Sequence, residues 1–334
     1  MFNSYAENGF GFIGSIYVKY NIINKDSPVI FTFANGGSLV DLNQELGSDQ
    51  PSPWGYEFLK GLGHNVVSFS CVKGCYNYYR DRDFYSQLLK LREYFSCFPE
   101  RLGYGASMGG YGVSAYANVL GIDRVLLMNP ISTRSIDINR WDYEAGRSLS
   151  TYEFDWDGPC NDGAVMSARG YVVYDPLYAL DKQHADRYNT LRKLKITGLG
   201  HGIPQYLNEI GVLKKLVTDF LADCVNEYWF YQSSRKRRNI LRYYDWLLSY
   251  ENKHLTYRRE LVVRHYRKIF IDNLPVPSPV LNKSQVNVMR DAALLLESID
   301  KSMALQLFRI VKLYRPKSRG VKNKIKLLAR SIDR

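Results

Sequence analysis

Short apolar runs bounded by glycines, prolines and polar turns recur through the first two-thirds of the chain. Runs of this length, rich in β-branched and aromatic residues, are typical of strands buried on both faces. They predict strands at residues 27–34, 65–70, 101–105, 124–130, 170–174 and 194–198, after a strand-like alternating segment at 11–20.

Segments with apolar residues at helical spacing separate most of these strands. One of them, residues 83–95, places Phe84, Leu88, Leu91 and Phe95 on a single helix face. Helices are predicted at 54–61, 83–95, 108–120, 181–188 and 208–224. Strands that alternate with helices predict the α/β fold class, with a mostly parallel sheet flanked by helices.

The pattern becomes helical throughout from Asn226, apart from a proline-rich stretch at 274–279 that predicts an extended linker. Residues 291–300 and 303–316 resemble one helix pair of the tetratricopeptide type, through their small alanines and the closing Leu-Tyr-Arg-Pro. One such unit is too short to form a solenoid by itself. We therefore expect an α/β domain at 1–224 and an all-α, basic helical domain at 225–334.

The formal net charge of +12 is concentrated in the second of these regions. Residues 225–334 contain 24 Lys and Arg against 9 Asp and Glu, whereas residues 1–224 contain 21 against 24. This asymmetry predicts a surface that binds an acidic protein partner or an anionic membrane. Nucleic acid is the weaker prediction, because no recognised nucleic-acid-binding motif accompanies the charge.

Composition argues against several other classes of protein. No run of 18 apolar residues is present, so no membrane-spanning helix is predicted. The first residues lack a basic region followed by an apolar core, which predicts no signal peptide and a cytoplasmic location. The five cysteines are scattered and complete no zinc-binding spacing, so we expect reduced thiols, no metal and no cofactor.

The segment Gly105-Ala-Ser-Met-Gly109 matches the G-x-S-x-G nucleophile elbow, a sharp turn from strand to helix that exposes a serine Oγ. A predicted strand precedes it and a predicted helix follows it. The alternative role for Ser107 is a small residue in a tight turn that holds a phosphate, but the Lys-Ser/Thr ending of a P-loop is missing. Ser107 is therefore the candidate nucleophile.

Acyl transfer by serine also needs a histidine to take the Oγ proton and a carboxylate to orient that histidine. In α/β-hydrolases the order along the chain is serine, acid, histidine. Asp175 and His201 each follow a predicted strand, as Ser107 does, and reactive loops gather at such strand ends. Asp181 is the alternative acid, although it also suits the N-cap of the next helix. His201 could instead cap the helix that follows it.

Backbone N–H groups must stabilise the oxyanion that forms during acyl transfer. The candidates are Met108, directly after the serine, and Asn35 or Gly36, after the strand at 27–34, where the alternative is a simple turn. Residues 131–169 are irregular and fall where a small cap could be inserted. Their aromatic residues could stack against a sugar or an aromatic acyl group, or pack the cap against the core: Trp141, Tyr152, Phe154 and Trp156.

Together, these features resemble the serine-dependent α/β-hydrolase fold over residues 27–224, and in particular a group of uncharacterised bacterial hydrolases. The resemblance is carried by the elbow at 103–112, the Tyr-Asp-Pro at 174–176 with Asp-x-x-His-Ala at 181–185, and the Gly-His-Gly-Ile-Pro at 200–204. The His-Gly-Gly-Gly oxyanion motif of lipases is missing. The resemblance implies an enzyme that cleaves esters or thioesters, while a fold by itself does not select a substrate.

From the sequence we therefore expect a serine hydrolase of esterase type that forms an acyl-enzyme on a small-molecule or glycan ester. Two alternatives remain open. An acyltransferase would use the same three residues and pass the acyl group to an alcohol. A non-catalytic scaffold would use the hydrolase fold to present the basic tail to a partner.

Overall fold

One eight-stranded sheet organises the first part of the chain. The structure is a computed structural model, and it describes residues 8–42, 51–75, 77–135, 137–142, 158–249, 255–272, 281 and 283–332. The strands are β1 (Asn8–Ile13), β2 (Ile16–Asn21), β3 (Val29–Phe33), β4 (Asn65–Ser70), β5 (Arg101–Ala106), β6 (Arg124–Met128), β7 (Arg169–Tyr174) and β8 (Leu191–Lys195). Their order is β1-β2-β4-β3-β5-β6-β7-β8. Strand β2 is antiparallel to both of its neighbours and the remaining pairs are parallel, which confirms the predicted fold class.

Helices connect the strands and continue beyond the sheet. In the first part these are α1 (Tyr56–Lys60), α2 (Arg82–Phe95), α3 (Met108–Leu120), α4 (Ala179–Asp186), α5 (Ile203–Glu209), α6 (Leu213–Leu221) and α7 (Glu227–Ser234). The described helices of the C-terminal part are α8 (Leu241–Leu247), α9 (Tyr257–Asp272), α10 (Lys283–Leu296), α11 (Lys301–Tyr314) and α12 (Arg319–Ile332). Short 3₁₀ turns occur at Gly163–Val165, Gly200–Gly202 and Arg235–Asn239.

Several element boundaries differ from the sequence-based predictions. The helix predicted at 208–224 is two helices, α5 and α6, because Gly211 adopts a φ of 75° between them. Strand β8 begins three residues earlier than predicted, since only Leu191 and Leu194 face the core and the basic residues between them hide the strand pattern. Helix α4 begins at Ala179, so Asp181 lies inside its first turn and is not its N-cap.

The core is densest where α3 packs on the centre of the sheet. All five residues of β3 are buried, as is every residue of α3 except Asn118. The ring of Phe33 lies 4.8 Å from that of Phe69 and 5.0 Å from that of Tyr79, between centroids. Because α3 contacts the sheet along its whole length, the position of its first residue is set by core packing.

The chain divides into two compact units, Met1–Ser234 and Arg235–Arg334, rather than after residue 224 as predicted. Helix α7 belongs to the first unit through contacts with β8. The Tyr231 hydroxyl donates to the Lys193 carbonyl oxygen at 3.3 Å, and Glu227 pairs with Arg192 at 3.3 Å.

The second unit has an apolar cluster of its own, contributed by α10, α11 and α12. Its buried members are Val286, Ala293, Ala304, Leu305, Phe308, Val311, Val321 and Leu328. Opposite the buried side of α12, one exposed face of that helix consists of cations at helical spacing, here called the basic face: Arg319, Lys322, Lys326 and Arg330. The linker predicted at 274–279 lies outside the described residues.

Candidate active site

Ser107 occupies the turn between β5 and α3. Its backbone, with φ 52° and ψ −124°, lies in a region that side-chain-bearing residues seldom adopt. A Cβ atom on Gly105 would lie 2.5 Å from the Gly109 carbonyl oxygen, and a Cβ on Gly109 would overlap the Phe33 carbonyl oxygen. Both elbow positions therefore admit only glycine, and the turn places the Ser107 side chain beyond the carboxyl end of β5.

His201 lies opposite the serine, in the 3₁₀ turn that follows β8. Its Nε2 is 2.8 Å from Ser107 Oγ. The His201 side chain is 43% exposed, so solvent reaches the imidazole. The serine and the histidine, 94 positions apart in sequence, are within hydrogen-bonding distance.

Asp181 contacts the other side of the imidazole. Its Oδ1 is 2.7 Å from His201 Nδ1 and its side chain is 3% exposed. Burial raises the pKa of Asp181, while the hydrogen bond and charge of His201 act in the opposite direction. Among the described residues no donor reaches Asp181 Oδ2, which adds to the cost of ionising this carboxyl.

Asp175, the acid favoured by the sequence, lies against the backbone and not against the imidazole. Its Oδ2 accepts hydrogen bonds of 2.8 Å each from the N–H groups of Gly198, Leu199 and Gly200, and its Oδ1 accepts from Leu177 N at 2.9 Å. These contacts fix the turn immediately before His201. The structure therefore places Asp181, the alternative, beside the histidine, and gives Asp175 the position of a loop anchor.

Asn129 also contacts His201 and was not identified from the sequence. It directly follows β6, has a φ of 38° and is 1% exposed. Its Nδ2 donates to the His201 carbonyl oxygen at 3.0 Å and lies 3.3 Å from both ring nitrogens. The sequence placed Asn129 inside the strand predicted at 124–130, whereas the strand ends at Met128, so its position directly after a strand became visible only in the structure.

A cavity of about 200 Å³ opens beside these side chains. Ser107, Asp181 and His201 line it. The remaining lining is contributed by Tyr78, Ile131, Arg134, Asp142, Tyr178, Leu180 and His184. Five of these seven residues have side chains that end in a polar or charged group, so the cavity is polar: Tyr78, Arg134, Asp142, Tyr178 and His184.

The candidate oxyanion donors lie on two elements. Met108 is the first residue of α3, where backbone N–H groups have no partner within the helix. Asn35 and Gly36 follow β3 in a turn in which Asn35 accepts from Gly37 N through Oδ1 and from Ser38 N through its carbonyl, both at 3.0 Å. The described lining of the cavity includes neither Asn35 nor Gly36.

Of the aromatic residues predicted to bind substrate, Trp141 packs against His184, with ring centroids 4.6 Å apart. Tyr152, Phe154 and Trp156 lie outside the described residues. Within the described chain, no three His, Cys, Asp or Glu residues are grouped so that they could hold a metal ion. None of the described helices is long and apolar enough to span a membrane.

The sequence matches no model of a known protein family and no curated protein. Among solved structures, the capsule O-acetyltransferase of Neisseria meningitidis serogroup A is similar at 13% identity, covering 62% of this chain and 93% of its own, with a TM-score of 0.41. A bacterial heroin esterase is similar at 14% identity, covering 70% and 86%, with a TM-score of 0.43. Est1E from Butyrivibrio proteoclasticus is similar at 12% identity, covering 65% and 100%, with a TM-score of 0.39. The strand order and the sharp turn from β5 into α3 give the first unit an α/β-hydrolase-type fold.

Proposed function

We propose that this chain is a serine hydrolase that cleaves a carboxylic ester through an acyl-enzyme. One observation carries the proposal: an unbroken series of contacts from Ser107 Oγ to His201 Nε2 at 2.8 Å, and from His201 Nδ1 to Asp181 Oδ1 at 2.7 Å. A nucleophile, a base and a group that orients the base are the minimum for serine acyl transfer. Asp181 takes the role of the acid in this proposal and Asp175 that of the loop anchor.

The contacts with Asp181 define which ring nitrogen acts as the base. The carboxylate can only accept, so His201 Nδ1 carries the proton and Nε2 keeps a lone pair that faces Ser107. When Ser107 Oγ attacks the ester carbonyl carbon, its proton moves to Nε2 and the imidazolium is stabilised by Asp181. That proton then passes to the leaving alcohol as the bond between the carbonyl carbon and the alcohol oxygen breaks, and the acyl group stays on Ser107.

The oxyanion of the tetrahedral intermediate is stabilised by the backbone N–H of Met108, with Asn35 or Gly36 as the second donor. Water completes the cycle. His201 Nε2 takes a proton from the water as it attacks the acyl-enzyme, and returns that proton to Ser107 Oγ as the carboxylic acid departs.

Transfer of the acyl group to an alcohol is the second candidate, because it would use the same residues with an alcohol in place of water. The His201 side chain is 43% exposed, so water can reach the base during deacylation, as hydrolysis requires. Accumulation of an acylated alcohol at the expense of free acid, with the alcohol added to the reaction, would identify the transferase instead.

A fluorophosphonate probe tests the proposal directly, because it reacts with an activated serine and not with an ordinary one. We expect labelling of the native protein, loss of labelling in Ser107→Ala, and full labelling in Ser302→Ala, a control at an exposed position in the second unit. Hydrolysis of 4-nitrophenyl acetate should likewise occur with the native protein and Ser302→Ala and be lost in Ser107→Ala. Absence of labelling in the native protein, or equal labelling of Ser107→Ala, would refute the enzyme and favour the scaffold.

A further inference from the structure

Asn129 joins the turn that carries the serine to the loop that carries the histidine. Its neighbours in sequence bind the backbone of Ser107. The Ser107 N–H donates to the Met128 carbonyl oxygen at 3.0 Å, and the Ile131 N–H donates to the Ser107 carbonyl oxygen at 3.3 Å. From the same segment the Asn129 side chain reaches His201, 72 positions later. One short stretch of backbone therefore links the two residues proposed as nucleophile and base.

The segment around Asn129 is packed on both sides. The Asn129 N–H donates to the Val173 carbonyl oxygen at 2.7 Å, so the main chain stays attached to β7 directly after β6 ends. A Cβ on Gly110 would lie 2.7 Å from the Cβ of Pro130, so the next residue packs closely against the first turn of α3. Asn129 itself is 1% exposed. Close packing of this kind fixes the position from which the amide reaches the histidine.

The contact with the His201 carbonyl defines how the Asn129 amide is oriented. A carbonyl oxygen can only accept, so the amide atom 3.0 Å from it is the NH₂ nitrogen, Nδ2. The same Nδ2 lies 3.3 Å from both ring nitrogens of His201. A point in the ring plane at that distance from both nitrogens would overlap the ring carbons. The amide therefore lies against one face of the imidazole.

Asn129 and Asp181 hold the imidazole from two perpendicular directions. Asp181 Oδ1 contacts the edge of the ring, 2.7 Å from Nδ1, whereas Asn129 contacts its face. The χ2 torsion of a histidine has broad energy wells, so the ring plane needs support from its neighbours. A donor against the face does not point at the in-plane lone pair of Nε2, which lies 2.8 Å from Ser107 Oγ. The contact thus restrains the ring and leaves the geometry between base and nucleophile intact.

Two unfavourable features accompany Asn129. Its φ of 38° lies in the left-handed region, which residues other than glycine, asparagine and aspartate seldom adopt. Its Oδ1 is buried, and among the described residues no donor reaches it. Such features persist where a local geometry serves a function. Asparagine adopts this φ at low cost and also supplies the N–H donor that the His201 carbonyl accepts.

We propose that Asn129 is a positioning residue for acyl transfer, which holds the backbone and the ring of His201 so that Nε2 stays within reach of Ser107 Oγ. The inference rests on the proposed hydrolase and adds a residue to it. Asn129 transfers no proton and acts only through His201. Because the same imidazole takes a proton in acylation and in deacylation, a misplaced ring slows both steps by a similar factor. In that case kcat falls and KM stays the same.

Asn129→Gly in the purified full-length protein tests this role, because glycine adopts a φ of 38° without strain while the amide is removed. With 4-nitrophenyl acetate we expect kcat to fall about 10- to 100-fold at an unchanged KM, the usual effect of a misplaced catalytic group. Stopped-flow measurement of the burst and steady-state phases should show both steps slowed alike. Urea unfolding checks that the variant is fully folded under the assay conditions.

Proton NMR gives a readout that a purely structural role would not change. In the native protein the His201 Nδ1 proton, in the 2.7 Å hydrogen bond to Asp181, should give a low-field resonance. In folded Asn129→Gly the ring is less restrained, so we expect this resonance to broaden through exchange with water. A resonance as sharp as that of the native protein would contradict the positioning role.

Asn118→Ala is the matched control, because Asn118 Oδ1 also accepts from a backbone N–H, that of Ser167 at 3.1 Å, and Asn118 is not part of the cavity's described lining. Its kcat should equal that of the native protein. Asn129→Asp is nearly the same size as the native residue and provides a second result should Asn129→Gly fail to fold. A carboxylate cannot donate to the His201 carbonyl, so its kcat should also fall.

The outcomes separate the positioning role from the hydrolase. An active native protein whose Asn129 variants keep the native kcat, or lose only one of the two steps, would overturn the role of Asn129 and leave the hydrolase intact. Loss of folding in both variants would show that the residue is structural and would equally overturn the role. Native protein that neither cleaves the ester nor reacts with the fluorophosphonate probe would overturn the hydrolase, and the inference with it.

Discussion

Asp181 lies 2.7 Å from His201, whereas Asp175, six residues earlier, binds the backbone of the turn that carries the histidine. Two carboxylates from one short segment therefore contact the same loop in different ways. One contacts the imidazole and the other fixes the turn. This division separates an effect on proton transfer from an effect on loop structure, and each can be measured alone.

Replacing Asp181 by asparagine should lower kcat by about 10⁴-fold, as expected when the acid of a serine triad no longer selects the histidine tautomer. The fold should be retained, because the amide avoids the cost of burying a charge. Steady-state hydrolysis of 4-nitrophenyl acetate and thermal unfolding would measure the two effects. An activity close to that of the native protein would exclude Asp181 as the acid.

Asp175→Asn should instead lower stability. The amide retains one acceptor oxygen but brings an NH₂ group close to N–H donors, so part of the set of three hydrogen bonds from 198–200 is lost. We expect the free energy of unfolding to fall by about 3 kcal/mol, the upper range for a hydrogen bond to a charged group. Urea unfolding measures this loss. Unchanged stability combined with a loss of kcat as large as that of Asp181→Asn would restore Asp175 as the acid.

The raised pKa of Asp181 predicts how stability depends on pH. Since burial raises this pKa above 3.8, the folded protein keeps the Asp181 proton at pH values where the unfolded chain has already lost it. The free energy of unfolding contributed by Asp181 is therefore fully present below 3.8 and decreases as pH rises through the pKa of the folded protein. Urea unfolding from about pH 4 to pH 8 should show native protein losing stability relative to Asp181→Asn as pH rises. Native protein that gains stability relative to Asp181→Asn as pH rises would contradict the raised pKa of Asp181.

Gly109, in the turn that carries Ser107, and Gly36, after β3, predict a contrast between two alanine variants. In Gly109→Ala the new Cβ would overlap the Phe33 carbonyl oxygen, and backbone cannot move aside cheaply, so we expect a loss of about 3 kcal/mol or more. In Gly36→Ala no heavy atom lies within 4 Å of the new Cβ, so stability should change by less than about 0.5 kcal/mol. Denaturant midpoints would measure both. Equal midpoints for the two variants would show that α3 is not pressed against β3.

The basic face of α12 predicts binding to an anionic surface. Each cation near an anionic bilayer contributes about 1 kcal/mol, so Lys322→Gln combined with Lys326→Gln should weaken binding to phosphatidylserine-containing vesicles about 30-fold. Sedimentation with vesicles at low and high salt would measure it, with neutral phosphatidylcholine vesicles as the control. Equal binding to both kinds of vesicle, or no response to salt, would rule out the membrane and leave an acidic protein as the partner to be sought.

The sequence predicted the α/β class because the strands near Ser107 are buried on both faces. Such strands consist of short continuous runs of apolar residues, which are easy to recognise in a sequence. It predicted less where that pattern is interrupted, as in β8, whose buried Leu191 and Leu194 are separated by basic residues. Ser107 and His201 were both chosen as candidates because each follows a predicted strand. The structure places Ser107 Oγ 2.8 Å from His201 Nε2, although the roles of the two residues stay predictions.

The choice between Asp175 and Asp181 was beyond sequence reasoning. Both residues follow β7 closely enough to approach the loop that carries the histidine. In the structure the N–H groups of residues 198–200 bind the Asp175 carboxylate, so Asp181 is the carboxylate that contacts the imidazole. Asn129 was missed for a related reason. Asn129 was counted within the strand predicted at 124–130, and its contact with His201 joins loops that are 72 positions apart.

The close packing of Gly109 on the Phe33 carbonyl has a consequence for how this site could acquire new substrates. Because Gly109 meets the backbone of β3 directly, the start of α3 and the Ser107 turn before it are held against the core and cannot shift toward a larger or differently shaped ester. Adaptation to another substrate is therefore expected at the other residues that line the cavity, such as Tyr78, Arg134 and Tyr178, while the serine stays where the core holds it. Directed selection for a new ester should accumulate substitutions there and leave 103–112 unchanged.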